Sequence, residues 1–176
     1  GDYDGDGDLD LFVANGEFGG VQQKNFLYQN QGDGSFAKVS EGDIVADLGV
    51  WVGAAWGDYD NDGDLDLFVT NENGINNLYQ NSGDGSFVKL TSGAVVAQEA
   101  ASRTCAWGDY DNDGFLDLYV GTRGKNLLFH NNGDRTFAKM TRGSPVNDEG
   151  LSASCSWADY NNDGFLDLFE ANENSR

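Results

Sequence analysis

The chain has 176 residues, of which 39% are hydrophobic, with 25 glycines, one proline, two cysteines and a formal net charge of −20. Nucleic acid and anionic membrane would both repel such a surplus of negative charge, which argues against them as partners. No run approaches the ~20 apolar residues of a spanning helix, so no membrane insertion is expected.

The chain opens on an aspartate loop, DYDGDGDLD from Asp2 to Asp10. Gly1-Asp2-Tyr3 matches Gly57-Asp58-Tyr59, but the strand and tryptophan that precede the latter have no counterpart. The expectation is a mature fragment or a segment of a longer chain. Two apolar runs around a Gly-Asp-Gly turn follow, NFLYQNQGDGSFAKV from Asn25, which is a hairpin signal. A run of small and apolar residues, Val50 to Trp56, enters a second loop, DYDNDGDLD from Asp58 to Asp66, and Leu65 to Thr70 leaves it. Strands are expected at Leu78 to Asn81 and Phe87 to Leu90, in the second hairpin, NNLYQNSGDGSFVKL from Asn76. The cycle repeats with DYDNDGFLD from Asp109 to Asp117 and NLLFHNNGDRTFAKM from Asn126, and ends in a fourth loop, DYNNDGFLD from Asp159 to Asp167. No 3.6-residue apolar period persists, so little helix is expected.

Successive loops begin 56, 51 and 50 residues apart. A unit of four short antiparallel strands at that period describes a propeller blade. The expected fold is all-β, with about three and a half blades: a partial blade over 1–49, blades over 50–100 and 101–150, and a partial blade over 151–176. Each loop carries oxygen-bearing side chains at positions one, three, five and nine and glycine at six. Calcium asks for that pattern, six to eight oxygens on a sharply bent loop. Seventeen of the 30 acidic residues lie inside the four loops. One dication per loop, about four Ca2+ per chain, would bring the net charge to about −12.

The run WGDYDNDGDLDLFVTN followed by NNLYQNSGDGSF resembles the FG-GAP/VCBS repeats of the integrin-alpha-like β-propeller, and most closely those beside bacterial ASPIC/UnbV-type domains. The resemblance covers nearly the whole chain. It implies seven blades in a full propeller, calcium in the loops, and a secreted or cell-surface setting. Carried over by position, the first loop would bind through Asp2, Asp4, Asp6, Asp10 and the carbonyl of Asp8. The second would use Asp58, Asp60, Asp62, Asp66 and the carbonyl of Asp64. The third would use Asp109, Asp111, Asp113, Asp117 and the carbonyl of Phe115. The fourth would use Asp159, Asn161, Asp163, Asp167 and the carbonyl of Phe165. Asn161 leaves the fourth loop one carboxylate short, so it is expected to bind calcium most weakly. Position twelve is valine in three loops and Glu170 in the fourth, and the flanks read as strands, so these are not EF-hands.

No catalytic constellation appears. His130, the only histidine, takes the place of Gln29 and Gln80 and reads as a surface strand residue. Cys105 and Cys155 share one repeat position and read as small buried residues, with a disulfide between neighbouring repeats as the alternative. Trp56, Trp107 and Trp157 read as packing between blades. Trp51 has no counterpart in later repeats, and if exposed it offers a stacking face for a sugar. The expectation is a non-enzymatic, calcium-binding extracellular adhesion or matrix module that pairs with other protein chains, with head-to-tail fibres as one form of assembly. Two alternatives remain open at this point. One is a propeller that binds extracellular glycans, and the other is the non-catalytic propeller domain of a larger secreted enzyme.

Overall fold

A computed structural model describes residues 1–16 and 20–173; residues 174–176, the end of the last expected partial blade, fall outside it. In chain order the first repeat contributes β1 (Leu11–Val13), β2 (Gln23–Lys24), β3 (Phe26–Asn30), β4 (Phe36–Lys38) and a single helical turn, α1 (Asp43–Ala46). The second contributes β5 (Leu48–Gly49), β6 (Trp51–Gly57), β7 (Asp66–Asn71), β8 (Gly74–Ile75), β9 (Asn77–Asn81), β10 (Phe87–Lys89) and a 3-10 turn at Ala94–Val96. The third contributes β11 (Glu99–Ala100), β12 (Ser102–Gly108), β13 (Asp117–Lys125), β14 (Leu127–Asn131), β15 (Phe137–Lys139) and α2 (Ser144–Asn147). β16 (Glu149–Ala158) and β17 (Asp167–Asn172) complete the described chain.

These strands form the expected antiparallel blades. β6, β7, β9 and β10 lie side by side as one four-stranded sheet, and β12, β13, β14 and β15 as the next. β1, β3 and β4 form a three-stranded sheet at one end, and β16 pairs with β17 at the other. The first strand of each complete blade slips register once, at Trp51/Ala54 and at Ser102/Thr104, and β16 does the same at Ser152/Ser154. A bulge of this kind steepens the local twist.

Two features connect the blades. Short ribbons pair one repeat with the next: β2 with β5, β8 with β11, and the end of β13 with the start of β16. The helical turns then drop apolar side chains into the core, with Ile44, Val45, Val95, Val96 and Val146 all buried. Neither feature was visible as a periodicity, because each spans only two to four residues.

The core lies between neighbouring blades. Phe68 and Leu78 of one sheet meet Leu118, Val120 and Phe129 of the next, closed over by Tyr59, Val95 and Phe137. Small residues on the innermost strands permit that approach. A Cβ on Gly108 would stand 2.7 Å from the Trp157 ring, and one on Gly53 would stand 2.8 Å from the Arg103 carbonyl oxygen.

Candidate metal centres

The second, third and fourth aspartate loops each join two adjacent, paired strands, β6 to β7, β12 to β13 and β16 to β17, and the first leads directly into β1. The residue at position four takes a left-handed backbone, with φ of 57° at Asn61 and 60° at Asn112 and Asn162, and glycine fills that place in the first loop as Gly5. Asparagine tolerates this conformation better than other side-chain-bearing residues. It also makes a bond there: Asn61 Nδ2 donates to the Gly114 carbonyl at 2.9 Å, and Asn112 Nδ2 to the Gly164 carbonyl at 2.8 Å. Successive loops are therefore tied to one another.

Within a loop the carboxylates divide into two kinds. The position-one aspartate accepts backbone N–H groups across the bend; Asp58 takes those of Asp62 at 3.1 Å and Gly63 at 3.0 Å. The position-nine aspartate is a structural pin as well as an assigned ligand. Asp66 is fully buried, and its two oxygens accept the N–H groups of Tyr59 at 3.1 Å and Asn81 at 2.8 Å. Asp10 is held likewise by Tyr3 and Asn30, and Asp117 by Tyr110 and Asn131. Burial outweighs these bonds and pushes the Asp66 carboxyl up to about 7. Burial first, then the neighbouring carboxylates, also raise Asp4 and Asp60.

The carboxylates at positions one, three and five converge in the first two loops: oxygens of Asp2, Asp4 and Asp6, and of Asp58, Asp60 and Asp62, lie within 4.8 Å of one another. In the third loop the converging set is Asp109, Asp111 and Asp117, with Asp113 grouped instead with Asp111 and His130. Among the described residues no such trio of carboxylates forms in the fourth loop, where the Asn161 amide donates to Asp163 at 3.0 Å. The donor chemistry of the loops fits calcium, since every offered side-chain atom in the first two clusters is a hard oxygen. Asp60 adds a sharper observation. Its side chain has no exposed surface, and its Oδ1 has no hydrogen-bond partner. A buried carboxylate oxygen left unpaired is costly unless a cation meets it. The position-seven side chains of Asp8, Asp64 and Phe115 lie against Gly32, Gly83 and Gly133 of the adjacent hairpin turns. Aspartate and phenylalanine both fit there.

Some residues that face the loops lay outside the sequence reading. Gln29 Nε2 donates to Asp4 Oδ2, and Gln80 Nε2 to Asp60 Oδ2, both at 2.6 Å. His130 occupies the equivalent place on β14, so it is a loop-facing residue and not the plain surface residue expected. Its Nδ1 stands 3.3 Å from Asp111 Oδ2 and 3.2 Å from Asp117 Oδ1. Arg135, in the next blade's hairpin turn, reaches back to Asp60 Oδ2 at 3.3 Å and Asp62 Oδ2 at 4.0 Å. The available signal was register: each of the first three is the polar residue just before the asparagine that binds the position-nine aspartate.

Other expectations resolve as follows. Trp56, Trp107 and Trp157 stack on Tyr3, Tyr59 and Tyr110 of the preceding loops, at 6.3, 6.4 and 6.2 Å between ring centres. They are inter-blade packing, as read. Trp51 is 3% exposed and donates Nε1–H to the Gln23 carbonyl at 3.0 Å, so it offers no stacking face. Cys105 and Cys155 are free, and burial pushes both thiols above their ordinary range. Glu170 points away from its loop; it accepts hydrogen bonds from Tyr119, Asn126 and Ser152.

The blade architecture and loop geometry agree with family comparison. The model of the FG-GAP-like repeat matches three times, over residues 2–69, 58–120 and 109–170. The chain belongs to the FG-GAP-like repeat family. Similar curated proteins are cartilage acidic protein 1 of Xenopus tropicalis, 33% identical over 131 residues, and of Homo sapiens, 30% identical over the same length. Each match covers 68% of this chain, and the chain spans only about a fifth of these relatives, 20% and 19%.

Proposed function

We propose that this chain is a calcium-stabilised repeat module that works outside the cell as a structural or adhesive element. The observation that carries the reading is the set of convergent loop carboxylates with the unpaired, buried Asp60 Oδ1 among them. The ligands would be those named for each loop above, with the position-nine aspartates serving also as pins. A calcium ion bound there supplies countercharge, and it stabilises the fold because it binds the native state alone. The loop pattern recurs four times and its assigned ligands come from within each loop, which suits a structural role better than a single reaction centre. An extracellular setting is supported by the abundance of calcium that weak sites need, and by relatives named for cartilage and for acidity. Partners on this reading are protein chains of a matrix or cell surface, with head-to-tail assembly as one form that binding would take.

The test is native mass spectrometry in calcium-containing buffer, with thermal denaturation alongside. Three or four calcium ions per chain and a melting temperature lowered by chelation are expected. No bound calcium, with a melting temperature indifferent to chelator, would overturn the reading and leave the repeat fold alone.

A further inference from the structure

The loops differ in what the neighbouring strand presents to them. In the first two repeats β3 and β9 present a glutamine, whose amide makes a short hydrogen bond to the position-three aspartate. In the third repeat β14 presents an imidazole. His130 Nδ1 is shut off from solvent and has no hydrogen-bond partner, although carboxylate oxygens of Asp111 and Asp117 face it at 3.3 and 3.2 Å. Neither approach has hydrogen-bond geometry. An imidazole nitrogen that has two carboxylate oxygens within 3.3 Å and bonds to neither is placed as a ligand of a shared cation would be. Asp109 brings a further oxygen, within 4.8 Å of those of Asp111 and Asp117. On the other side of the ring, Asp113 Oδ2 lies 4.0 Å from Nε2. That is beyond hydrogen-bond reach, so Asp113 adds negative charge beside the ring without fixing its tautomer.

From this juxtaposition we infer that the third loop is a site for a borderline divalent transition metal, such as Zn2+, held by His130 Nδ1 with Asp109, Asp111 and Asp117. The inference rests on the reading of the loops as cation sites and departs from it in the ion. Calcium is a hard cation that takes oxygen ligands. An imidazole nitrogen beside carboxylates suits zinc, nickel or cobalt. Among the four loops, a histidine faces only the third, so the selectivity belongs to that loop alone.

The experiment titrates Zn2+ into the whole chain in calcium-containing buffer, comparing the native protein with His130→Gln. Glutamine is what the equivalent positions carry at Gln29 and Gln80, so the variant keeps the fold. Because the chain has one histidine, its imidazole nitrogen resonances report on His130 directly. The expected result is one Zn2+ bound per chain, a large shift of the Nδ1 resonance at one equivalent, and at least about a ten-fold loss of zinc affinity in the variant, since a ligand should matter no less than its outer-shell partner. An imidazole signal that stays in place, or equal zinc binding by both proteins, would overturn the inference and leave His130 as a side chain that only packs beside the loop. Calcium counted on the same samples separates the two readings. Bound calcium with an unmoved imidazole sinks only this inference, and zinc on His130 with no calcium anywhere sinks only the calcium reading.

Discussion

Asn131 and Asn30 hold the same position in their repeats, yet their truncation to alanine should have very different consequences. Asn131 is fully buried at the seam between two blades. Its Nδ2 donates to the Tyr59 carbonyl of the preceding loop at 2.8 Å and to the Leu116 carbonyl of its own loop at 3.1 Å, and its Oδ1 accepts the Gly133 N–H at 3.1 Å. Asn131→Ala removes three bonds and leaves their partners facing a cavity that water enters poorly. At about 1 kcal/mol per bond, more where the partner stays buried, the loss is about 3 kcal/mol. For a chain of this length that lowers the melting temperature by roughly 6–12 °C. Asn30 makes the own-loop bond to Leu9 and the turn bond to Gly32, both at exposed positions. Asn30→Ala should therefore cost less than about 1 kcal/mol. Thermal and urea denaturation in chelator, where calcium does not enter, measure both. Equal losses, or a loss under 1 kcal/mol at Asn131, would refute the reading that the Asn131 side chain ties its blade to the preceding loop.

Further outcomes follow from the same geometry. Burial lifts Asp66 to about 7 from an ordinary value of 3.8, with Asp4, Asp60 and Asp117 displaced in the same direction. The stability gained by protonating Asp66 is fully present below about pH 4 and is lost as pH rises through about 7. Chelated protein should accordingly melt higher at pH 5 than at pH 8, and the increment given by calcium should grow across that range; calcium-free stability that rises with pH would contradict the assignment. Arg135 has a positive φ of 68° where the earlier repeats have Gly34 and Gly85, and its guanidinium lies beside Asp60 and Asp62. Arg135→Gly removes a competing cation whose own side chain is largely exposed, so calcium affinity at the second loop should rise by about two- to five-fold in calorimetry. Gly108→Ala would bring a Cβ to 2.7 Å of the Trp157 ring, costing about 1–3 kcal/mol. Gly63→Ala meets open space but must hold a φ of 96°, so it strains the loop and should show mainly as weakened calcium binding. Among single-loop knockouts, those in the fourth loop should change bound calcium least, since Asn161 replaces a carboxylate there.

The sequence alone determined the repeat and the placement of oxygen-bearing residues in the loops. An exact spacing of aspartates and glycine is a local property: position six must bend, positions one, three and five must gather oxygen, and nine residues suffice to state both. Strand positions were legible for a similar reason. The expected Val50 to Trp56 and Leu65 to Thr70 differ by one residue at each end from the observed Trp51–Gly57 and Asp66–Asn71. What depended on contact between distant residues was decided only by the tertiary structure. Trp51 looked available for a ligand because its repeat position is not shared, but β2 comes back to cap it. His130 and Gln80 looked like solvent-facing strand residues, but the pairing of β14 with β13 and of β9 with β7 sets each against its loop. Arg135 meets Asp60 across 75 positions of chain. A sequence written in one dimension records what a segment can form by itself; which side chain comes to face a loop depends on how the neighbouring strand or blade is laid against it.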